Sequence, residues 1–279
     1  MIKRALLVFA ALVLGYSLFL RFAGVDWDTT QHLANGNRIK AERFAFDHSA
    51  DGGTVIIGSS LAYRLVLDSF PVGTANLGFG GLSVYDGLEL IRRSGRKPKR
   101  VLVETNILFR EPDRAFLDAL FQPGLYQIRE RLPLMREENQ PSGVLFGWLK
   151  QRLLQGHSPS AVSDSSAGPS AVLLAEHRAR YAEVPADSVQ ARFVDMLAQG
   201  IKAVEGSGAE VVFFEMPIEA ELEESKLSAR TRALVRERFP AHRFVRADGQ
   251  GWRTTDGLHL TKPEAARFSG WLAAAIGAH

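Results

Sequence analysis

The chain has 279 residues, a length that suits one large domain or two small ones. Hydrophobic residues make up 46% and charged residues 23%, which excludes a largely disordered chain, and a net charge of +3 does not indicate a nucleic-acid partner. Cysteine is absent, which excludes disulfides, thiolate zinc sites, iron–sulfur clusters and a cysteine nucleophile.

The first segment of the chain has the pattern of a membrane helix. Lys3 and Arg4 precede an uncharged run over residues 5–20, and Arg21 follows it. A helix of that length covers about 24 Å, which is short of the roughly 30 Å hydrocarbon core of a bilayer. Because the aliphatic stem of Arg21 can carry its charge to the interface, the apolar residues up to Val25 complete a span.

Residues 1–25 are therefore predicted to be an uncleaved anchor that contacts the membrane through residues 5–25. The basic residues at the start place the N-terminus in the cytoplasm and residues 26–279 outside it. The predicted location is a single pass through the inner membrane with a periplasmic domain. Two alternatives remain open: a signal peptide cleaved after Ser17, or a buried core helix of a cytosolic protein.

Beyond residue 53, short runs of β-branched and aromatic residues predict five strands. These runs span residues 54–57, 74–77, 100–105, 210–214 and 243–245. Helical patterns lie between them; one ends at Gly206, and the last begins near Pro263. Alternating strands and helices predict an α/β fold with a parallel sheet covered by helices.

Residues 111–190 interrupt this alternation with possible helices and no convincing strand. Within them, residues 156–170 are rich in Ser, Gly and Pro, which is typical of a loop. The stretch is predicted to be an insertion in the domain that spans residues 26–279. A lid or a partner surface is one interpretation, and plain surface decoration is an equal alternative.

Polar residues follow three of the predicted strands, at the edge where open parallel sheets bind ligands. Ser59 and Ser60 follow the first strand, a glycine-rich turn that includes Gly81 follows the second, and Asn106 follows the third. A serine there can be a nucleophile or a helix N-cap. The glycine N–H and the asparagine amide can stabilise an oxyanion, or can form a turn and a helix cap.

Asp256 and His259 lie shortly before the last predicted helix. A hydroxyl nucleophile needs a base, and an imidazole base needs a carboxylate that fixes its tautomer, so this pair can supply both. Such pairs also occur by chance. The other histidines lack a comparable setting and are interpreted as surface or structural residues: His32, His48, His157, His177, His242 and His279.

The order of serine, glycine, asparagine and a late Asp-x-x-His resembles that of the SGNH (GDSL-type) hydrolase superfamily. The resemblance covers roughly residues 54–110 and 190–279. It departs from the family pattern at Ser59, where a GDSL motif has Asp, and at Glu104-Thr105-Asn106, which replaces Gly-x-Asn-Asp. The resemblance implies a three-layer α/β/α sandwich with a five-stranded parallel sheet of the flavodoxin-like type, in addition to the N-terminal transmembrane helix.

By that resemblance, Ser60 is the nucleophile, His259 the base and Asp256 its orienting partner. Ser60, Gly81 and Asn106 would supply the oxyanion hole. No metal or other cofactor is expected.

Two acidic residues stand outside this scheme. Glu104 and Glu215 end the third and fourth predicted strands, which are neighbours in such a fold. Both could reach the rim of the pocket, where Arg110 could pair with either, and Ser59 is a further pocket candidate. The alternative is that the two carboxylates cap nearby helices.

The altered motifs are similar to those of membrane-anchored, extracytoplasmic SGNH members that handle acyl groups on cell-surface polymers, such as alginate-acetylation and DltD-like proteins. The resemblance implies O-acyl transfer, with acetyl favoured, to a cell-surface or exported polysaccharide through an acyl-Ser60 intermediate. The donor would come from an MBOAT-like multi-pass acyltransferase partner. One alternative is an esterase or deacetylase of glycan or lipid esters; another is a non-catalytic envelope scaffold that binds a membrane partner.

Overall fold

The computed structural model describes residues 1–22, 29–47, 51–154, 169–247 and 251–277. In chain order its helices and strands are α1 (Ile2–Phe22), α2 (Leu33–Phe46), β1 (Thr54–Gly58), α3 (Ser60–Tyr63), β2 (Ala75–Gly78), α4 (Val84–Ser94), β3 (Arg100–Glu104), α5 (Arg114–Leu120), α6 (Leu125–Arg131), α7 (Pro141–Leu154), α8 (Ala171–Ala182), α9 (Asp187–Gly206), β4 (Glu210–Glu215), α10 (Ala220–Glu223), α11 (Lys226–Arg238), β5 (Arg243–Arg246) and α12 (Lys262–Gly277). Short 3₁₀ turns lie at Leu67–Ser69, Pro133–Met135 and Glu137–Asn139.

The chain divides into two compact units. The anchor unit comprises Met1–Glu42 and Leu120–Ser160, and the sheet unit comprises Arg43–Ala119 and Ala161–His279. The boundaries of these two units differ from those of the predicted anchor, residues 1–25, and of the predicted insertion, residues 111–190.

Within the described part of the sheet unit, five strands form one parallel sheet in the order β2-β1-β3-β4-β5. The five predicted strands are confirmed, with their ends within one residue of the predicted bounds. The carboxyl ends of parallel strands meet at one edge of a sheet, and here the strand order reverses between β1 and β3. Ligands bind at such a point in open α/β sheets, which draws attention to the loops after these two strands.

The central strands are buried, as fully apolar parallel strands are expected to be. Ile56, Leu102 and Val212 belong to a core cluster that also contains Phe268 and Leu272 of α12. The neighbouring residue Ile57 instead meets α4, where Gly87 leaves no room for a Cβ. Alternate residues of β1 therefore pack against different helices, because successive side chains of a strand point to opposite faces.

Two glycines let the turn after β1 pack closely on its surroundings. Gly58 and Gly78 lie opposite each other in β1 and β2. A Cβ on Gly78 would lie 2.5 Å from the backbone of α3, and one on Gly58 would lie 2.6 Å from Cβ of Glu104. Because these two positions carry no side chain, α3 can pack directly against the edge of the sheet, with Ser60 at its start.

Helix α2 lies in the polar stretch of residues 26–53, for which the sequence predicted no element. In the anchor unit, Glu42 is 1% exposed and pairs with Arg38 at 3.3 Å between Oε1 and Nε. Glu42 also accepts the Glu137 backbone N–H at 2.6 Å. Since this packing is held by buried charges and hydrogen bonds, it leaves little apolar periodicity from which to predict the helix.

Helix α1 is the only helix among the described residues that is long and apolar enough to cross a membrane. None of its residues is buried, which argues against the alternative of a buried core helix. Residues 23–25 of the predicted anchor lie outside the described residues. The placement of residues 26–279 outside the cytoplasm stays a prediction.

The stretch of residues 111–190 contains helices and, in its described part, no strand, as the sequence predicted. Helices α6 and α7 belong to the anchor unit, whereas α8 belongs to the sheet unit. Most of the predicted Ser/Gly/Pro loop, residues 156–168, lies outside the described residues.

Candidate active site

Ser60, His259 and Asp256 form a chain of hydrogen bonds just beyond the carboxyl end of β1. His259 Nε2 lies 2.9 Å from Ser60 Oγ, and His259 Nδ1 lies 2.7 Å from Asp256 Oδ2. Both distances fit the tautomer in which Nδ1–H donates to the carboxylate and Nε2 accepts from the hydroxyl. The structure therefore brings together the three residues predicted as nucleophile, base and orienting carboxylate, in the geometry that such a set requires.

A tight loop holds Asp256 against His259. Asp256 Oδ1 accepts the backbone N–H of Leu258 at 3.0 Å and that of His259 at 2.8 Å. Gly257 between them has φ +96°, a conformation that favours glycine. One carboxylate oxygen thus fixes the loop, and the other is left for the imidazole.

The Asp256 carboxyl is kept ionised by its surroundings. Burial alone would raise its pKa, but the hydrogen bonds from the ring and backbone of His259, together with attraction to the imidazole, outweigh burial and hold the pKa well below its usual value. An ionised carboxylate at this position can stabilise the imidazolium that forms when His259 takes a proton.

Ser59 and Glu104 support the turn that carries Ser60. Ser59 is 1% exposed, and its Oγ accepts the Leu61 N–H at 3.2 Å as the N-cap of α3. Glu104 accepts the Ser59 N–H at 2.7 Å and the Asn106 N–H at 2.9 Å, so that one buried side chain joins the loops after β1 and β3. Burial raises the pKa of the Glu104 carboxyl, although these hydrogen bonds act in the opposite direction. Both residues, predicted as pocket candidates, thus have hydrogen-bond partners in the turn beneath Ser60.

We expect Glu104→Ala to lower the free energy of unfolding by about 2 kcal/mol or more, because a buried N–H left without an acceptor costs about 1–3 kcal/mol and two half-buried N–H groups lose theirs as well. The substitution removes the acceptor of the Ser59, Asn106 and Ile107 N–H groups. Urea unfolding of the detergent-solubilised chain measures the loss. Glu210→Ala, which removes an exposed carboxylate paired with an arginine, is the matched control and should cost less than about 1 kcal/mol. Equal losses in the two variants would contradict the supporting role.

The side-chain amide of Asn106 is fixed by the end of β4. Asn106 Nδ2 donates to Met216 O at 2.8 Å, and Asn106 Oδ1 accepts the Met216 N–H at 2.7 Å. An amide NH₂ carries two N–H groups, so the second is left for a ligand in the cavity that Asn106 lines with Ser60. As the first residue of α3, Ser60 has a backbone N–H with no acceptor inside the helix. Two of the three predicted oxyanion donors therefore border one cavity.

Of the three remaining predicted site residues, only Arg110 lines this cavity as the structure describes it. Gly81 is an exposed residue with φ +78° in the loop after β2, and the described lining of the cavity does not include it. Arg110 does line the cavity, and its Nη1 donates to O of Leu82, the neighbour of Gly81, at 3.1 Å. Glu215 pairs with Arg232 at 2.9 Å and borders a separate, smaller cavity, rather than pairing with Arg110.

The cavity beside Ser60 has a volume of about 640 Å³, within the usual range for small-molecule sites. Half of the residues that line it are apolar or aromatic, and these are Ile107, Leu108, Phe109, Tyr181, Val184, Pro185, Leu227 and Leu258. The basic residues Arg110 and Arg180 and the acidic residues Glu111 and Glu183 also border it. The site therefore offers an apolar surface for an acyl group and polar groups for a hydroxyl-rich substrate.

His177 is a candidate functional residue, although the sequence predicted only a surface or structural role for it. It lies on α8 and lines the cavity, with Nε2 3.9 Å from Asp256 Oδ2. Its Nδ1 is buried without a hydrogen-bond partner in the described structure. Burial lowers the pKa of His177, and the positive charge of Arg180 adds to this against the pull of Asp256, so that the ring is neutral at neutral pH. No strand end precedes it, so no local pattern in the sequence marks this position.

The remaining histidines take no part in the cavity as far as the structure describes them. His32 Nδ1 accepts the Asn35 N–H at 3.0 Å, and His242 Nε2 lies 2.8 Å from Glu205 Oε1, which fits the structural roles predicted for both. The other three lie outside the described residues: His48, His157 and His279.

In a comparison with known proteins, no protein-family model, curated protein or solved structure matches the chain.

Proposed function

We propose that the protein is a serine-dependent acyl-ester enzyme of the SGNH type, anchored in the inner membrane with its catalytic unit in the periplasm. The observation that carries the proposal is the hydrogen-bonded chain of Ser60, His259 and Asp256. Ser60 and His259 are 199 positions apart in the sequence and meet at 2.9 Å. A serine that served only as a helix cap would not need a histidine at that distance, and Ser59 already caps α3.

The proposed fold is a three-layer α/β/α sandwich. Successive side chains of β1 pack against different helices, which supports helices on both faces of the sheet. Ile56 belongs to the core cluster that includes α12, and Ile57 contacts α4. The strand order β2-β1-β3-β4-β5 is a doubly wound order with its reversal between the strands that precede Ser60 and Asn106.

In the proposed reaction, Ser60 Oγ attacks the ester carbonyl while its proton passes to His259 Nε2, and Asp256 stabilises the imidazolium. The Ser60 N–H and the Asn106 amide stabilise the oxyanion. The bond between the carbonyl carbon and the leaving alcohol then breaks, His259 returns the proton to that alcohol, and the acyl group stays on Ser60. A second hydroxyl attacks the acyl-enzyme with His259 as base, which regenerates Ser60.

Transfer to a polysaccharide hydroxyl is the proposed second step, and hydrolysis is the alternative. An acetyl group fills only a small part of a cavity of about 640 Å³, which leaves room for an acceptor sugar beside it. Well-oriented reacting groups reach effective molarities of about 10⁵ M or more, so a bound hydroxyl can compete with water. Anchoring through α1 favours an envelope or exported glycan as acceptor, with the acyl donor delivered by an MBOAT-like membrane partner.

Product analysis tests this proposal. The full-length protein is given an acetyl ester donor with and without a panel of oligosaccharides, and free acetate is compared with acetylated sugar, with Ser60→Ala as the blank. We expect acetylated sugar to exceed free acetate for at least one acceptor. Acetate release that dominates over the whole panel would identify an esterase, and no product above the blank would favour the scaffold alternative.

A further inference from the structure

Exposed apolar side chains are concentrated in one segment of the anchor unit. Among the described residues outside α1, fifteen large hydrophobic side chains are exposed, and nine of them lie between residues 125 and 153. Monomeric soluble proteins rarely expose apolar side chains so densely, and such a patch usually marks an interaction surface. The densest part is α7, where the exposed side chains are Leu145, Phe146, Trp148, Leu149 and Leu153.

Helix α7 presents its apolar face outward. Its buried residues near the start are Gly143, Val144 and Gly147. Leu145, Phe146, Leu149 and Leu153 lie within about 100° of one another around the helix axis, on the side away from those residues. Leu145 is 62% exposed and Leu153 is 66% exposed. A surface helix of a soluble protein has the reverse arrangement, with the apolar stripe facing the core.

The start of α7 is tied to the membrane helix. The Tyr16 hydroxyl of α1 donates to Asn139 O at 2.8 Å, and α7 begins two residues later at Pro141. The 3₁₀ turn Pro133–Met135 also contacts α1. The segment that leads into α7 therefore lies along the later turns of α1.

This tie fixes the depth of α7 in a bilayer that α1 crosses. The 21 residues of α1 cover about 31 Å, close to the roughly 30 Å of a hydrocarbon core. Tyr16 is six residues before the end of α1 at Phe22, or about 9 Å along the axis. This depth is within the roughly 5–10 Å to which interfacial helices bury their apolar faces. The hydrogen bond to Asn139 therefore brings the start of α7 to that depth, on the Phe22 side of the bilayer.

We propose that α7 lies in the membrane interface and inserts its exposed apolar face into the acyl chains of the lipid. The occupant of this face is the bilayer itself. Lys150 and Arg152 suit contact with anionic headgroups, and the Arg152 guanidinium lies 4.7 Å from the centre of the Trp148 ring. The inference depends on α1 crossing the membrane and is independent of the serine chemistry. It makes the anchor unit a two-point membrane attachment, one helix across the bilayer and one along its surface.

Site-directed spin labelling tests the proposal, because the chain has no cysteine of its own. Single cysteines are introduced by Leu145→Cys and Leu149→Cys in the full-length chain, spin-labelled, and reconstituted in vesicles of phosphatidylethanolamine and phosphatidylglycerol. Power-saturation EPR compares collision with oxygen, which concentrates in lipid, and with a water-soluble nickel chelate. Ala10→Cys in α1 reports whether that helix spans, and Val72→Cys, an exposed apolar position in the sheet unit, is the matched control.

We expect the labels at residues 145, 149 and 10 to favour oxygen and the label at residue 72 to favour the nickel chelate. Nickel access at residues 145 and 149 together with oxygen access at residue 10 would overturn the proposal and leave α7 as a docking face for a protein partner. Nickel access at residue 10 as well would overturn both the span and the proposal. Turnover of a soluble ester by Leu149→Cys should stay at the wild-type rate in every case, which separates this test from that of the proposed reaction.

Discussion

Ser60→Ala and His259→Ala are each expected to lower the turnover of an activated acetyl ester by about 10⁴–10⁶-fold, and the double variant is expected to be hardly slower than either. The reason is that the hydroxyl and the imidazole act as one unit across a contact of 2.9 Å, so that losing either partner removes the activated nucleophile. Initial rates for the three purified, detergent-solubilised variants give the comparison. Losses that add fully in the double variant would contradict a shared nucleophile.

Ser59→Ala is the matched control because it removes a hydroxyl from the adjacent position. Ser59 is buried and caps α3, so this variant should lose about 1 kcal/mol of stability and keep its activity within about tenfold of wild type. Robust activity in Ser60→Ala with Ser59 intact would show that Ser60 is not the nucleophile.

Asp256→Asn is expected to lower turnover by about 10⁴-fold at neutral pH, with the fold preserved. An asparagine amide in place of Oδ2 no longer accepts the Nδ1–H of His259, so that the imidazole loses both its tautomer and the charge that stabilises its protonated form. Turnover and circular dichroism are measured together. Asp118→Asn removes an exposed carboxylate in an ion pair with Arg93 and should leave turnover unchanged. A similar, small effect in both variants would contradict the orienting role of Asp256.

The same substitution has a predicted pH dependence of stability. The folded-state pKa of Asp256 is held below its unfolded value of about 4, so the ionised carboxylate stabilises the fold above that pH, and the contribution is lost as the pH falls below it. The stability advantage of wild type over Asp256→Asn should therefore be constant near neutrality and shrink in acid, as measured by urea unfolding across the pH range. An advantage independent of pH would contradict a charge-based contact.

The sheet could be predicted from the sequence because its strands are buried. Parallel strands covered by helices are continuous apolar runs, and even the weak runs that became β2 and β5 stood out between polar turns. Helix α2 could not be predicted in the same way. Its packing in the anchor unit depends on the buried carboxylate of Glu42 and its partners Arg38 and Arg129, which look like surface residues in a sequence.

The hydrogen-bonded set of Ser60, His259 and Asp256 could be predicted because strand ends and the last helix mark their positions. The function of Glu104 depends on how closely the loops after β1 and β3 approach each other, which no local pattern encodes. His177 lies on a helix of the stretch without strands, and only the tertiary packing of α8 brings it to Asp256. Gly81 lies outside the described lining of the cavity, so motif order alone does not identify a third candidate oxyanion donor.

Labelling with a fluorophosphonate tests whether Ser60 is the activated nucleophile, since this reagent forms a stable bond with an activated serine hydroxyl. The full-length protein is labelled in detergent, digested and mapped by mass spectrometry, with His259→Ala and Ser60→Ala treated in parallel. We expect one phosphonyl adduct on the peptide that contains Ser60, formed far more slowly in His259→Ala and absent in Ser60→Ala. No adduct in the folded wild-type protein, or an adduct on Ser59 or another residue with Ser60 unmodified, would contradict serine catalysis at Ser60.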